Sequence, residues 1–206
     1  MRMMLTFILG LPVAYLAGSI NFSILVFRLL GREDPRTRFS GNPGVTNVFR
    51  QAGWPLALLV LLLDAGRAMG VALLASRLWS FDLVPWAGLA LILGNHFPCF
   101  HGFRGGKGVA NFIGFYLPLL PLGTVLSGAA FGLLLALTRA PFFGSFGILA
   151  TLTGFGLSHW RGAPGAQAGL LITVAAIVWF HRGNIAAWRR ARRNRREAVK
   201  GRGPAE

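Results

Sequence analysis

Residues 97–109 read Phe97-Pro98-Cys99-Phe100-His101-Gly102-Phe103-Arg104-Gly105-Gly106-Lys107-Gly108-Val109, and apolar runs flank this stretch on both sides. Glycine backbone N–H groups can form concave, anion-binding arrangements that larger residues would block. Arg104 and Lys107 add positive charge beside the glycine pair, and a helix predicted from Val109 would point its positive N-terminus at the same place. The stretch therefore indicates a phosphate site at a membrane surface. It lacks the spacing of a P-loop, and a simple glycine turn between two membrane helices is the alternative interpretation.

The composition is that of an integral membrane protein. Apolar residues make up 54% of the chain and charged residues 13%, whereas a soluble domain has about 25% charged residues. The net charge of +15 lies between the apolar runs and near the C-terminus. This is the positive-inside distribution of a membrane protein, so no nucleic-acid partner is expected. We predict a single membrane domain over residues 1–188 and a basic cytoplasmic tail over residues 189–206 that contacts anionic membrane lipid.

The apolar runs predict an all-α integral membrane protein with about seven transmembrane helices. Residues 109–138 fit either one kinked helix or a hairpin of two helices. Because the glycine-rich stretch and the Arg-rich tail both belong in the cytoplasm, an even number of spans must separate them, which favours a hairpin bent at residues 117–121. The N-terminus is then outside the cell and the C-terminus is cytoplasmic. The apolar runs lie at about residues 3–30, 54–76, 84–97, 109–138, 141–158 and 167–180.

Polar side chains inside two of these spans are expected to face other helices. Asp64 and Arg67 are three residues apart and lie on one helical face, where a structural ion pair is the preferred interpretation. Ser19 and Ser23 are one turn apart and are expected to share a face that contacts neighbouring helices.

The first cytoplasmic loop, residues 31–53, is rich in turn formers and in hydroxyl and amide side chains. Asn42-Pro43-Gly44 predicts a tight turn, and Thr46 or Asn47 is predicted to cap a short helix that runs through Arg50. Small hydrogen-bonding groups beside an arginine suit a small polyol phosphate. A polar connector without a binding role is the alternative.

Two histidines lie near the predicted cytoplasmic surface. His96 is a candidate base, although a hydrogen-bonding residue at the edge of the site is the more ordinary interpretation. His181 and Asn184 follow the last span and would share a face if the helix continued. An interfacial anchor is the alternative for His181.

Three polar stretches follow one another along the chain: Ser40-Gly41-Asn42-Pro43-Gly44-Val45-Thr46-Asn47-Val48-Phe49-Arg50, Phe103-Arg104-Gly105-Gly106-Lys107-Gly108-Val109-Ala110 and His181-Arg182-Gly183-Asn184-Ile185. In this order, and separated by apolar spans, they resemble the bacterial acyl-phosphate:glycerol-3-phosphate acyltransferase family (PlsY-type). The likeness extends to Gly18-Ser19-Ile20, Asp34-Pro35-Arg36-Thr37 and Leu62-Leu63-Asp64, so it covers nearly the whole chain.

The resemblance implies a seven-helix enzyme of the bacterial inner membrane with its active site facing the cytoplasm. The implied reaction moves an acyl chain from acyl phosphate to the sn-1 hydroxyl of glycerol 3-phosphate, giving lysophosphatidic acid and phosphate, the first step of phospholipid synthesis. Because acyl phosphate is already activated, no metal or other cofactor is expected. No protein nucleophile or base stands out, so we expect direct attack by the substrate hydroxyl, with a substrate phosphate accepting the proton. An enzyme that forms acyl phosphate is a further candidate partner.

The resemblance also implies roles by motif position. Catalytic roles fall to Ser40, Arg50, Lys107, His181 and Asn184. Substrate-binding roles fall to Asn42, Thr46, Asn47, Arg104, Gly105, Gly106, Gly108 and Ser145.

The sequence departs from the family pattern at several positions. Asn95 follows Gly94 where the family usually has His, Phe142 lies near the position of a usual serine, and Arg67 replaces a usual Lys. Asn95 and Phe142 motivate a second hypothesis, a catalytically altered paralogue that binds acyl phosphate or phospholipid without transferring the chain. The intramembrane pair Asp64 and Arg67 motivates a third, a small anion or lipid transporter.

Overall fold

The computed structural model describes residues 2–200, and this part of the chain contains helices and no strand. It confirms the predicted all-α class, whereas residues 201–206 of the predicted tail lie outside the described residues. The ninth α-helix continues through residue 189, where the tail was predicted to begin. The elements are α1 (Arg2–Ser19), α2 (Phe22–Leu29), α3 (Val45–Leu78), α4 (Val84–His96), a 3₁₀ turn (Cys99–His101), α5 (Val109–Tyr116), α6 (Pro121–Thr138), α7 (Pro141–His159), α8 (Pro164–Phe180) and α9 (Arg182–Lys200).

The helices differ in their capacity to cross a membrane alone. Within the described part of the chain, α3, α6 and α7 are long and apolar enough, and the total rises to five if the bent pairs α1–α2 and α8–α9 are each one span. The predicted turn between α5 and α6 is present, but α5 has only eight residues. Its length of about 12 Å is less than half of a hydrocarbon core about 30 Å thick. The number of seven spans and the sidedness of the termini remain predictions.

The first apolar run is not the single helix that its hydropathy predicted. The chain bends by 41° between α1 and α2. At the break the Asn21 side chain accepts a hydrogen bond from the Ile24 N–H at 3.2 Å, which caps α2 and competes with continuation of α1. Ser19 and Ser23 therefore lie on different helices. Ser19 still makes an inter-element contact, because its hydroxyl accepts a hydrogen bond from the Cys99 N–H at 3.4 Å.

Close packing of small residues fixes the helices on either side of the glycine-rich stretch. A Cβ atom at Gly18 of α1 would lie 2.0 Å from the Leu91 carbonyl oxygen of α4, and one at Gly94 would lie 2.0 Å from the Tyr15 carbonyl oxygen. Only glycine allows this approach of the two backbones. The contact fixes α4, whose C-terminal end leads into the glycine-rich stretch.

The predicted intramembrane ion pair is confirmed. Arg67 Nη2 lies 3.0 Å from Asp64 Oδ1, and the two side chains are only 9% and 6% exposed. The Arg67 guanidinium also donates to the Ile20 carbonyl at the α1–α2 break and to the Asn111 side chain on α5. Arg67 therefore links α3 to the α1–α2 break and to α5 inside the helical bundle, where an unpaired charge would be costly.

Candidate active site

A cavity of about 670 Å³ lies where the three polar stretches of the sequence meet. It therefore brings together all but two of the residues that the resemblance assigned to the site. The residues from that set that line it are Ser40, Asn42, Thr46, Asn47, Arg50, Gly106, Lys107, Gly108, Ser145, His181 and Asn184.

Arg104 and Gly105 do not join this set. Arg104 is exposed and lies outside the cavity lining. Gly105 packs against α4, because a Cβ atom at this position would lie 2.0 Å from the Asn95 carbonyl oxygen. The geometry gives Gly105 a role in allowing a tight turn, and it gives no support to phosphate binding by either residue.

The first polar stretch forms the start of α3, and its N-cap differs from the prediction. The N-cap is Gly44, which has no side chain to cap the helix, so the predicted cap at Thr46 or Asn47 is wrong. Asn47 lies inside the first turn, where its Nδ2 donates to the Pro35 carbonyl at 2.8 Å and thereby holds the preceding loop. The predicted short helix through Arg50 is present. It ends at a break at Gly53, where φ is 81° and ψ is 179°, and a second helical segment continues to Leu78.

Arg36 ties the two cytoplasmic loops together, a role that the sequence analysis did not identify. Its guanidinium pairs with the Asp34 carboxylate at 2.6 Å and also donates to the carbonyls of His101 at 2.8 Å and Arg104 at 3.0 Å. The hydrogen bonds from Arg36 hold the pKa of Asp34 below its usual value. The family resemblance included the stretch Asp34-Pro35-Arg36-Thr37, and this was the signal in the sequence that could have pointed to Arg36.

Hydrogen bonds from the C-terminal end of α4 hold the glycine-rich stretch in place. The Gly106 N–H donates to the Asn95 carbonyl at 2.9 Å, and the Gly106 carbonyl accepts from His96 Nδ1 at 2.7 Å. The His96 ring stacks on Phe180 with a centroid distance of 3.5 Å. His96 therefore has the hydrogen-bonding role that was the ordinary interpretation, and it is not among the cavity-lining residues.

Gly108 begins α5, as predicted for a helix from Val109. It has the left-handed φ of 87°, and a Cβ atom there would lie 2.9 Å from Ile92. Both its conformation and its surroundings require glycine. Gly108 therefore lines the cavity and also sets the position at which α5 begins.

Lys107 and Asn184 meet across the cavity. The Lys107 ammonium donates to the Asn184 side-chain oxygen. Burial lowers the pKa of Lys107 to about 8. Asn184 of the third polar stretch therefore positions the ammonium group of Lys107, which belongs to the second polar stretch.

His181 presents a hydrogen-bond acceptor at the junction of α8 and α9. The helix bends by 46° here and does not continue straight, yet His181 and Asn184 still line the same cavity. Since a carbonyl only accepts, the 2.8 Å contact between Nδ1 and the Ile177 carbonyl assigns the proton to Nδ1. Burial lowers the pKa of His181 to about 4, so the ring is neutral near pH 7 and its Nε2 carries a lone pair.

Two of the three departures from the family pattern, Asn95 and Phe142, line the cavity, whereas Arg67 does not. Asn95 is buried, and a Cβ atom at Gly106 would lie 3.0 Å from its Nδ2 atom. Phe142 packs near the Trp188 ring of α9 at a centroid distance of 6.4 Å. Sequence reasoning identified these positions as unusual but gave neither a place in the site.

Comparison with known proteins decides the family. Residues 8–191 match the family model described as glycerol-3-phosphate acyltransferase. The chain belongs to the glycerol-3-phosphate acyltransferase family.

Curated glycerol-3-phosphate acyltransferases are similar to this chain over most of their length. The protein from Pseudomonas paraeruginosa is 39% identical over 175 residues, which cover 84% of this chain and 90% of that protein. The protein from Azotobacter vinelandii is 41% identical over 176 residues, which cover 85% of this chain and 92% of that protein.

The fold is similar to two crystal structures of PlsY (YgiH), an integral membrane glycerol 3-phosphate acyltransferase. The glycerol 3-phosphate form superimposes with a TM-score of 0.82 at 30% identity, covering 91% of this chain and 94% of that chain. The lysophosphatidic acid form gives a TM-score of 0.80 at 29% identity, covering 91% of this chain and 93% of that chain. The likeness supports the membrane character of the present family member.

Metal binding finds no support in the residues that the structure describes. Between residues 2 and 200, no group of three or more His, Cys, Asp or Glu side chains is placed to hold a metal ion. The expectation that the reaction needs no metal or other cofactor remains a prediction.

Proposed function

We propose that this chain transfers an acyl chain from acyl phosphate to the sn-1 hydroxyl of glycerol 3-phosphate, releasing lysophosphatidic acid and inorganic phosphate. The observation that carries the proposal is one cavity with two chemically different ends. Its lining includes Arg50, Lys107 and Asn184 from the polar stretches, and apolar side chains of four helices together with Asp64 and Asn111. Such a cavity suits two phosphate-bearing substrates of which one also has a hydrocarbon chain. Family membership supports glycerol 3-phosphate as the acceptor.

The polar end can hold both phosphates. Arg50 and the small polar residues of the first stretch suit glycerol 3-phosphate, because a guanidinium binds phosphate oxygens in a planar fork and hydroxyls bind the polyol. Lys107 supplies a positive charge for the phosphate of the acyl donor, and Asn184 orients that charge. The N–H groups at the start of α5 add to the positive potential at the same place.

The proposed step is direct attack. The sn-1 oxygen forms a bond to the carbonyl carbon of the acyl phosphate, and the bond from that carbon to the phosphate oxygen breaks, with its electron pair leaving on phosphate. The hydroxyl proton passes to a substrate phosphate oxygen. His181 Nε2 accepts a hydrogen bond from the sn-2 hydroxyl of glycerol 3-phosphate and so orients the acceptor, and Lys107 stabilises the charge that develops on the departing phosphate.

We also propose the arrangement in the membrane. The pair α1–α2 and the segments α3 to α8 would make seven crossings of the bacterial inner membrane, with the N-terminus outside, and the eight-residue α5 would be helical over only part of its crossing. Arg36, Arg50, Arg139 and Arg182 lie in or beside the segments around the cavity, and this charge favours the cytoplasmic side.

The test is formation of lysophosphatidic acid by the purified chain in lipid, with glycerol 3-phosphate and either palmitoyl phosphate or palmitoyl-CoA. Product from palmitoyl phosphate alone supports the proposed donor. Product from palmitoyl-CoA alone overturns it. Binding of palmitoyl phosphate without product would favour the altered paralogue, for which Asn95 and Phe142 in the cavity lining are the specific observation.

A further inference from the structure

The cavity extends from its polar end into the interior of the helical bundle. At the polar end α6 is followed by Arg139, which lines the cavity together with Lys107. Moving back along α6, the lining continues through Phe131 to Gly128. Gly128 lies about 16 Å from Arg139 along the helix axis, because each helical residue advances the chain by about 1.5 Å. The apolar residues Leu61, Ile113 and Ile148 line the cavity from the other helices, together with Asn111 and with Asp64, whose charge is paired with Arg67.

Gly128 is the point at which the apolar end reaches the outer surface of the bundle. The residue is exposed, and a Cβ atom built on it would meet no atom within 4 Å. Gly123 of α6 and Gly144 of α7 are, by contrast, tightly packed. A Cβ atom at Gly123 would lie 2.8 Å from Phe155, and one at Gly144 would lie 2.6 Å from Phe131. Gly128 therefore leaves an opening beside the apolar wall, whereas Gly123 and Gly144 allow helix contact.

We propose that Gly128 forms a lateral opening through which a long acyl chain passes from the cavity into the bilayer. This inference rests on the proposed function, because it assigns the apolar end of the cavity to the acyl chain of that reaction. Gly128 is then a specificity-determining residue that contacts no reacting atom. A chain longer than the cavity continues past Gly128 into lipid, so the missing side chain permits long donors. A short acyl chain ends before Gly128, so its transfer does not depend on the side chain at this position.

A bulky side chain at this position closes the opening. Gly128→Leu places a branched hydrocarbon where a palmitoyl chain must pass, and each methylene group that is excluded from the cavity loses its burial. An octanoyl chain has half as many carbons and keeps its full contact. We expect Gly128→Leu to lower the ratio of kcat/KM for palmitoyl phosphate to kcat/KM for octanoyl phosphate about tenfold, the effect of losing about two buried methylene groups. Gly128→Ala should lower the ratio by less.

Gly132 provides a matched control. It lies one turn further along α6, is exposed, and has no atom within 4 Å of a built Cβ, but it does not line the cavity. The experiment measures lysophosphatidic acid formation by the full chain in lipid, with octanoyl or palmitoyl phosphate as donor. It compares the wild type with Gly128→Leu, Gly128→Ala and Gly132→Leu. The expected ratio is unchanged in Gly132→Leu.

The outcomes separate this inference from the proposed function. A wild-type ratio in Gly128→Leu overturns the inference while the reaction itself stands. An equal loss for both donors in Gly128→Leu leaves the ratio at its wild-type value and therefore also overturns it. No transfer of either acyl chain by the wild type means that the proposed function fails, and the inference falls with it.

Discussion

At the scale of single residues, the ammonium group of Lys107 lies in surroundings that favour loss of its proton. It is partly buried, and its only described hydrogen bond goes to the uncharged side chain of Asn184. Burial lowers its pKa to about 8 because the charged form loses hydration that Asn184 replaces in part. The group remains charged at neutral pH, but it loses its charge within a range that an assay can reach.

This predicts the alkaline limb of the pH profile. Lys107 is charged below its pKa of about 8, so kcat/KM should fall as the pH rises through that value. The substrate phosphates lose their second proton near pH 6 and stay dianionic in this range, so they do not cause the decline. Lys107→Arg keeps its charge far above pH 8 and should remove the decline, although its absolute rate will be lower because the two cations differ in shape. The same decline in Lys107→Arg would contradict the assignment.

His181 leads to a second prediction at this scale. Its Nδ1 proton is donated to the Ile177 carbonyl, which leaves Nε2 as the acceptor for the sn-2 hydroxyl of glycerol 3-phosphate. His181→Phe keeps a ring and removes the acceptor, and we expect kcat to fall about a hundredfold, the usual cost of losing one hydrogen bond in a transition state.

His101 supplies the control for His181. It is half-buried in the neighbouring loop and does not line the cavity. Steady-state kinetics should therefore show nearly wild-type kcat for His101→Phe. If both substitutions had the same effect, the loss would be structural and the role of Nε2 would be refuted.

At the scale of elements, the two cytoplasmic loops behave as one unit through Arg36. The ion pair with Asp34 alone would contribute little at a surface, but the two carbonyls from the glycine-rich stretch add charge-assisted hydrogen bonds that link distant parts of the chain. Arg36→Ala should lower kcat/KM about tenfold or more through a loss of positioning, seen mainly as a higher KM for glycerol 3-phosphate.

Arg38 is the matched comparison for Arg36. It pairs with Glu33 at 2.6 Å, but its side chain is 65% exposed. Exposed pairs contribute about 0–1 kcal/mol, so Arg38→Ala should change kcat/KM by about twofold or less. Equal losses in the two variants would show that loop charge, and not the link between loops, is what matters.

Elements also show how much the sequence could predict. Continuous hydropathy predicted most helices, and the requirement for an even number of spans predicted the turn between α5 and α6. Hydropathy could not predict the break at Asn21, because the apolar run continues across it. The Arg67 guanidinium donates to the Ile20 carbonyl at that break, a contact that exists only in the folded chain. The break at Gly53, by contrast, lies where the predicted polar loop meets the second apolar run. The site residues could be predicted from three polar stretches, whereas Arg36 acts through carbonyls more than sixty residues away and leaves no local pattern.

At the scale of the whole molecule, charge should fix the orientation in the membrane. Arg38 lies in the loop beside the cavity, and Arg161 lies in the exposed turn between α7 and α8. In a Cys99→Ala background, which removes the single native cysteine, Arg38→Cys should react with a membrane-impermeant thiol reagent only in inside-out vesicles. Arg161→Cys should react only in right-side-out vesicles or cells. Labelling of both from the same side would contradict seven crossings.

Acyl transfer is expected to occur in the cavity and to depend on the cation that lines it, not on the general positive charge of the glycine-rich stretch. Lys107 and Arg104 test it, since both are cations of the same stretch but only Lys107 lines the cavity. The measurement is the rate of lysophosphatidic acid formation from palmitoyl phosphate and glycerol 3-phosphate by Lys107→Ala and Arg104→Ala. We predict a loss of about a hundredfold or more for Lys107→Ala and a change of about threefold or less for Arg104→Ala. Equal losses, or a nearly wild-type rate in Lys107→Ala, would contradict the claim.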